Sequence, residues 1–363
     1  MSVLNLIRPE LLNNKPYIYE DSLNKHRLHA NELPWAALST DIDLNFYPNN
    51  SMQNQLREQL AKRYQVNIDQ VLLTRGSDDG IDLITRLFLN AGHDACMQFP
   101  PTFTMYAFFV HLQQAQMIDY PLDPRNNFKL SAENIRSFWQ KNCKIIMLCN
   151  PNNPTAKLID LDFIASLCEE YKNRSVIVVD EAYIEFSEAQ SASSLLSQFD
   201  NLIILRTLSK AYGLANLRLG VILAQENLIQ SFKKIMSPFP LSTVVIQLAL
   251  QALEKPEWFF IACNKIKKAR AALVEKLQRF SIIEKTYPSE TNFILVKTNY
   301  ATEIFSWFSK KGISIKYFPP NSTLHNHLRI TVGDESQNQF VLSVLSSFQN
   351  NVLGFKNAKN FIY

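Results

Sequence analysis

Side chains able to do covalent and acid–base chemistry stand directly after several apolar runs. Lys210 follows "NLIILRTLS", Asp180 and Tyr183 follow "VIVV", and Asn150, Asn152 and Asn153 follow "IIMLC". A partly desolvated lysine amine is a nucleophile suited to forming Schiff bases with carbonyl compounds. A fourth stretch, "LLTRGSDDGIDL", reads as a strand, a turn at Gly76 and a helix with Ser77 as its N-cap. The first N–H groups of such a helix form an anion site.

The runs themselves are short, β-branched and bounded by polar residues, the pattern of buried strands in a parallel sheet. In open α/β sheets, ligands bind beyond the carboxyl ends of such strands. Taken singly, Asp180 and Ser77 read as helix caps, "NPNNP" as a turn and Lys210 as a solvated lysine. Taken together, an amine, a carboxylate, a phenol, an amide and a helix N-terminus match the needs of pyridoxal 5'-phosphate. Lys210 forms the Schiff base and the helix opening at Ser77 holds the phosphate. Asp180 keeps the pyridine nitrogen protonated, so that the ring can act as an electron sink, and Tyr183 and Asn153 bond the ring oxygen.

The elements that must position these residues alternate along the chain. "MQNQLREQLAKRYQ", "SDDGIDLITRLFLN" and "DFIASLCEEYKN" have helical patterns, and "QVLLT", "KIIMLCN", "SVIVVDEA" and "NLIILRT" read as strands. That alternation predicts an α/β domain with a mainly parallel sheet. From about residue 256 a long helix, "TNFILVK", "ATEIFSWFSKKG", "ISIKYF", "HLRITVG" and a last helix predict a second, smaller α+β unit. The expected division is an arm over 1–28, a large domain over 29–255 and a small domain over 256–363.

Composition narrows the function classes. With 363 residues, 47% hydrophobic, the chain can bury one large core and a smaller one. A net charge of +4 without a Lys/Arg run argues against nucleic acid and membrane surfaces as partners. "MSVLNLIRPELLNNKPY" has no basic head followed by an unbroken apolar core, and no run approaches the ~20 residues of a membrane span, so a soluble cytoplasmic protein is expected. Cys96, Cys143, Cys149, Cys168 and Cys263 include no CxxC and suit reduced core thiols. The "HNH" of His325 to His327 lacks a companion carboxylate or cysteine. It reads as an exposed loop or pocket lining, and no metal is expected.

Nearly the whole chain resembles the fold-type I pyridoxal-phosphate aminotransferases, and within them the histidinol-phosphate aminotransferase family. "HANELPW", "NFYPNN", "RGSDDGIDL", "PPTFTMY", "CNPNNPTA", "VVDEAYIEF", "RTLSKAYGLANLRLG", "PFPLST", "ETNFIL" and "LRITVG" carry the likeness. The resemblance implies that Lys210, Asp180 and Tyr183 are catalytic and that Asn153 binds the ring. It also implies that Phe103 stacks on the ring. The phosphate goes to the backbone around Ser77 and Asp78, to Ser209 and Arg218, and to Tyr47 of a neighbouring subunit, which implies a homodimer. Arg329 matches the arginine that clamps the substrate α-carboxylate, and Tyr17, Asn31 and Lys316 fall at further substrate positions.

The implied activity is ping-pong transfer of an amino group between histidinol phosphate and 2-oxoglutarate in histidine biosynthesis. Aromatic or secondary-metabolite transamination and phosphothreonine-type decarboxylation remain open on the same scaffold, as does a non-catalytic binding protein. The sequence departs from the family pattern at four places. Ala156 and Asn216 replace usual glycines, Lys316 replaces a usual arginine, and Tyr17 lacks the usual following Pro-Gly. Ala156 must therefore avoid positive φ or accept strain, whereas Asn216 tolerates that region.

Overall fold

A computed structural model describes residues 2–16 and 30–359. Among the described residues the strands are β1 (Val71–Thr74), β2 (Ala95–Gln98), β3 (Gln116–Asp119), β4 (Cys143–Cys149), β5 (Val176–Asp180), β6 (Leu202–Thr207), β7 (Gly220–Ala224), β8 (Lys285–Thr286), β9 (Phe293–Lys297), β10 (Lys316–Tyr317) and β11 (His327–Thr331). The α-helices are α1 (Asn50–Tyr64), α2 (Gly76–Phe88), α3 (Met105–Leu112), α4 (Ala132–Phe138), α5 (Leu161–Glu170), α6 (Glu226–Lys233), α7 (Thr243–Leu253), α8 (Pro256–Leu277), α9 (Ala301–Lys310) and α10 (Glu335–Lys359). No helix among the described residues is long and apolar enough to cross a membrane.

The first seven strands form one sheet in the order β1-β7-β6-β5-β4-β2-β3. All run parallel except β7, which is antiparallel to both neighbours. Every residue of β4, β5 and β6 but Lys144 is buried, because helices cover both faces. Alternation divides each strand between two cores: Ile177 and Val179 join Leu148 and Ile204 on one face, while Val176 and Val178 join Ile145 and Ile203 on the other. The α/β class and the mainly parallel sheet agree with the sequence expectation. Strand β7 has the same apolar composition as its neighbours, and only its pairing reveals its direction.

The last four strands form an antiparallel sheet, β10-β11-β9-β8, over a third core. Helix α8 serves both regions, burying Phe259 and Cys263 in a core of the large sheet and Leu273 and Leu277 in that of the small one. All five cysteines are free and buried.

Strand direction brings the chemistry to one edge. The carboxyl ends of β4, β5, β6 and β1 deliver Asn150, Asp180, Lys210 and Gly76 there. Because β7 runs the opposite way, its amino end lies at that same edge, with Gly220 paired to both Thr207 and Thr74. Arg218, two residues before Gly220, is thereby carried to the start of α2.

Candidate active site

Asp180 ends β5 and is 3% exposed. Its Oδ2 accepts the Tyr106 hydroxyl at 2.7 Å and its Oδ1 accepts the Ala182 N–H at 3.1 Å. Burial pushes its carboxyl up to about 6, against these two hydrogen bonds. A buried carboxylate here is strongly disposed to meet a cation. Asp180 is not a helix cap, since the chain beyond it turns into a short 3-10 segment at Ile184–Phe186.

Lys210 lies at the lip of this edge, with its Nζ 5.6 Å from the centroid of the Tyr183 ring. Partial desolvation, and then the charge of Arg329, hold its amine below the ordinary lysine range. Tyr183 is buried, and its hydroxyl accepts from Asn153 Nδ2 at 3.5 Å. Arg329, on β11 of the small sheet, donates to Asn153 Oδ1. Lys210, Tyr183, Asn153 and Arg329 therefore converge from three elements of the large sheet and one of the small. Phe103 contacts Tyr106 edge to face at 5.6 Å, which places it beside the Asp180 end of the group.

The start of α2 forms a second group. Helix α2 begins at Gly76, so Ser77 is its second residue and not its N-cap as expected. The cap position belongs to Arg75, whose N–H donates to Asp79 Oδ2 at 3.0 Å, and that backward reach fixes the helix start early. Gly76 has φ +82°, and a Cβ there would stand 2.8 Å from Arg218 Nη2. At Gly220 a Cβ would fall 2.5 Å from the Ser77 nitrogen. Both glycines thus permit close approach of Arg218 and β7 to the helix N-terminus. Arg218 also pairs with Asp78 at 3.3 Å, and Thr207 Oγ1 bonds Ser209 Oγ at 3.0 Å.

The glycine departures resolve differently from one another. Ala156 accepts the strained backbone, with φ +59°. Asn216 does not use its tolerance: it lies in the 3-10 turn Ala215–Leu217, and the left-handed residue is Arg218, at φ +50°. Turning there points the Arg218 side chain back over Gly76.

Other expected residues stand outside these groups. Lys316 is exposed on β10, directly opposite Arg329 in the β10–β11 register. Tyr47 is half exposed and stacks on Phe239 at 4.6 Å. Asn31 is exposed with φ +57°. Tyr17 lies outside the described residues. His325 is exposed, but His327 corrects the reading of "HNH" as a loop or pocket lining: it is buried at the start of β11, with Nε2 3.1 Å from the Tyr287 hydroxyl. Among the described residues no group of three or more His, Cys, Asp and Glu could hold a metal ion.

Two contributors were not singled out from sequence. Tyr106 is one; it lies at the start of α3, three residues after Phe103, and packs edge to face against it. The other is a buried charge cluster behind Asp180. Arg206 pairs with Glu181 at 3.0 Å and Glu185 at 2.7 Å and lies over the Tyr64 ring at 4.4 Å. A cavity of about 340 Å³ beside the edge is lined by Thr102, Cys149, Asn152 and Lys157.

These features suit pyridoxal phosphate. The buried Asp180 carboxylate has lone-pair capacity for a ring N–H. The α2 N-terminus with Arg218 above Gly76 suits a phosphate. The Nε of Arg329 is buried without a partner.

Residues 20–345 match the family model for aminotransferase class I and II. Histidinol-phosphate aminotransferase 1 of Legionella pneumophila strain Lens is 54% identical over 364 residues, covering 100% of both chains. The histidinol-phosphate aminotransferase of Buchnera aphidicola subsp. Cinara cedri is 37% identical over 331 residues, covering 90% of this chain and 92% of its own. In fold, the chain is similar to the crystal structure of Sinorhizobium meliloti histidinol-phosphate aminotransferase in complex with pyridoxal-5'-phosphate. That likeness has a TM-score of 0.77 at 22% identity and covers 85% of this chain and 84% of the other. The chain belongs to the class I and II aminotransferases, enzymes that work with pyridoxal phosphate.

Proposed function

We propose that the chain is a cytoplasmic, homodimeric transaminase that exchanges an amino group between histidinol phosphate and 2-oxoglutarate by a ping-pong mechanism in histidine biosynthesis. The chain-long 54% identity to a histidinol-phosphate aminotransferase supports the substrate. The observation that carries it is the cross-strand pair of Lys316 and Arg329. The register sets two cations on one face of the sheet, with Arg329 reaching Asn153 and Lys316 exposed beside it, an arrangement suited to an acidic substrate. Histidinol phosphate offers a phosphate, and glutamate offers two carboxylates.

In this reading Lys210, Asp180, Tyr183, Asn153 and Phe103 hold the ring of pyridoxal phosphate, and Ser77, Asp78, Ser209 and Arg218 hold its phosphate. When bound, the cofactor supplies an electron sink for the pair released as the Cα–H bond of the amino donor breaks. Asp180 maintains a negative charge at the ring nitrogen. The Lys210 amine, which desolvation makes easier to deprotonate, takes the proton at Cα and carries it to the other side of the transfer. Arg329 clamps the α-carboxylate of glutamate in a bidentate fork. Lys316, Asn31 and Tyr17 receive the far end of the substrate.

The homodimer places Tyr47 of one protomer over the phosphate cup of its partner. Support comes from the segment that carries Tyr47, which exposes Leu33, Trp35, Leu38 and Leu44, an apolar surface of the kind that subunits cover. The expected large domain over 29–255 and small domain over 256–363 are kept, with α8 packing on both; the arm expected over 1–28 is anchored at its start, where Val3, Leu6 and Ile7 are buried in a core of the large sheet.

The test is kcat/KM for histidinol phosphate, histidinol, phenylalanine, tyrosine and O-phosphothreonine with 2-oxoglutarate as acceptor. Histidinol phosphate should be preferred over histidinol by more than about 100-fold, since a phosphate adds up to two charges and several acceptors. Equal efficiency for those two with faster reaction of phenylalanine or tyrosine, or release of CO2 from O-phosphothreonine as the main reaction, would overturn the assignment.

A further inference from the structure

Asp180 is braced from a side that the proposed chemistry does not use. Tyr106, on α3, is fully buried, and its hydroxyl reaches Asp180 Oδ2 while the Ala182 N–H holds Oδ1. Each carboxylate oxygen has one fixed donor, so the plane of the carboxylate is set before any ligand arrives. Phenylalanine would fill the same space without that constraint. The tyrosine ring also packs against Phe103, so one side chain links the carboxylate to the aromatic assigned to the cofactor face.

We propose that Tyr106 is a positioning residue for the cofactor: its buried hydroxyl fixes one oxygen of Asp180 and so sets the orientation and charge with which that carboxylate meets the ring nitrogen. The proposal rests on the assignment of Asp180 made above. The other groups that face Asp180 are few. Asp78 on α2 opposes its charge and Lys210 beyond β6 favours it. Cys149 on β4 and Tyr183 beyond β5 are both pushed up by burial and stay neutral. Among the influences that keep Asp180 ionised against its burial, the Tyr106 hydrogen bond is the strongest.

The experiment titrates apoprotein with pyridoxal phosphate between pH 5 and 9, following binding by protein fluorescence. It compares wild type, Tyr106→Phe, Val110→Ala, Asp180→Asn and the double variant Tyr106→Phe/Asp180→Asn. Wild-type affinity should weaken as pH falls through about 6 and Asp180 takes up a proton. In Tyr106→Phe the weakening should begin about one pH unit higher, giving roughly five- to tenfold weaker binding at pH 6 and little change at pH 8.5. Val110, buried one turn further along α3, serves as the packing control: Val110→Ala keeps the hydroxyl and should keep the wild-type profile.

Adding Tyr106→Phe to Asp180→Asn should move the profile no further, because the effect runs through the carboxylate. A Tyr106→Phe profile that superimposes on wild type, an equal shift in Val110→Ala, or a further shift in the double variant overturns the proposal. Wild-type affinity that stays flat from pH 5 to 8 instead overturns the assignment of Asp180. The two failures are therefore distinguishable.

Discussion

The carboxyl edge of the large sheet and the β10–β11 side of the small sheet, which meet where Arg329 reaches Asn153, are built differently. At the first, Asp180 and Thr207 end strands in which every residue is buried. At the second, Lys316 is exposed on a two-residue strand and Arg329 is half-buried opposite it. A close-packed interior fixes side chains in single rotamers, whereas an exposed strand end allows movement. The difference fits a division of labour. On the proposed function, the fixed edge would hold the groups common to both half-reactions, and the looser one would accept two unlike acidic substrates in turn.

The fixed edge should give the largest effects. Lys210→Ala removes both the proposed attachment point and the proposed proton carrier, so turnover should fall on the order of 10⁴-fold or more. Borohydride reduction of the holoenzyme followed by peptide mapping should label Lys210, and labelling of another lysine would refute its role. Asp180→Asn keeps the shape but not the charge, and kcat should fall on the order of 100-fold or more.

The same substitution should stabilise the apoprotein. Burial raises the folded-state carboxyl from 3.8 to about 6, so the ionised group costs stability. That cost is complete above pH 6 and disappears as pH falls below the unfolded value near 4. Two pH units correspond to about 2–3 kcal/mol. The melting temperature of apo Asp180→Asn should therefore exceed that of wild type at pH 7.5, and the gap should close by pH 4. A constant gap across that range would mean that packing, not charge, sets it.

The two edges also differ in how far the sequence disclosed them. Runs such as "VIVVD" and "NLIILRT" declare buried strands, and an open parallel sheet puts its ligands beyond their carboxyl ends, so Asp180, Lys210 and Asn153 could be grouped from local pattern alone. Tyr106 could not be attached to them, because its acceptor lies 74 residues away and "PPTFTMY" reads equally well as core. The direction of β7 is a property of its pairing and leaves no mark in "GVILA". Ser77 was misplaced by local turn chemistry, since Asp79 reaches back to the Arg75 N–H, and the left-handed turn near Asn216 falls instead on Arg218. The two-residue strands β8 and β10 are too short for an alternating pattern, so the register that sets Lys316 against Arg329 emerges only in the folded sheet.

Lys316 is the point at which the looser edge can be examined by itself. Its exposed ammonium is a flexible point charge, so Lys316→Ala should lower kcat/KM for histidinol phosphate by only about tenfold, or roughly 1.4 kcal/mol. Phenylalanine should be almost unaffected and glutamate should fall between, since its second carboxylate uses the same charge in part. Lys316→Arg should preserve or improve the preference for the phosphorylated substrate, because a planar fork matches phosphate geometry. Equal losses for phenylalanine and histidinol phosphate in Lys316→Ala would remove Lys316 from the substrate contact.

The smallest effect should come from Ala156, on the fixed side. Its left-handed backbone costs about 1–2 kcal/mol. The conformation is held by neighbours: the Ala156 N–H donates to Asn152 O at 2.7 Å, and its carbonyl accepts from Glu290 N at 3.0 Å. Ala156→Gly relieves the strain, but it surrenders a buried methyl, about 0.8 kcal/mol, and adds about 0.4–1 kcal/mol of unfolded-chain entropy. These terms nearly cancel, so stability should change by less than about 1 kcal/mol and kcat should not change. Ala156→Val has no such offset, since a β-branched side chain is poorly tolerated at positive φ and the site is buried. It should cost several times as much as the glycine variant in denaturant melts. Equal stability of the valine and glycine variants would show that the loop relaxes freely, and the contrast between a fixed and a yielding edge would lose its footing at Asn153.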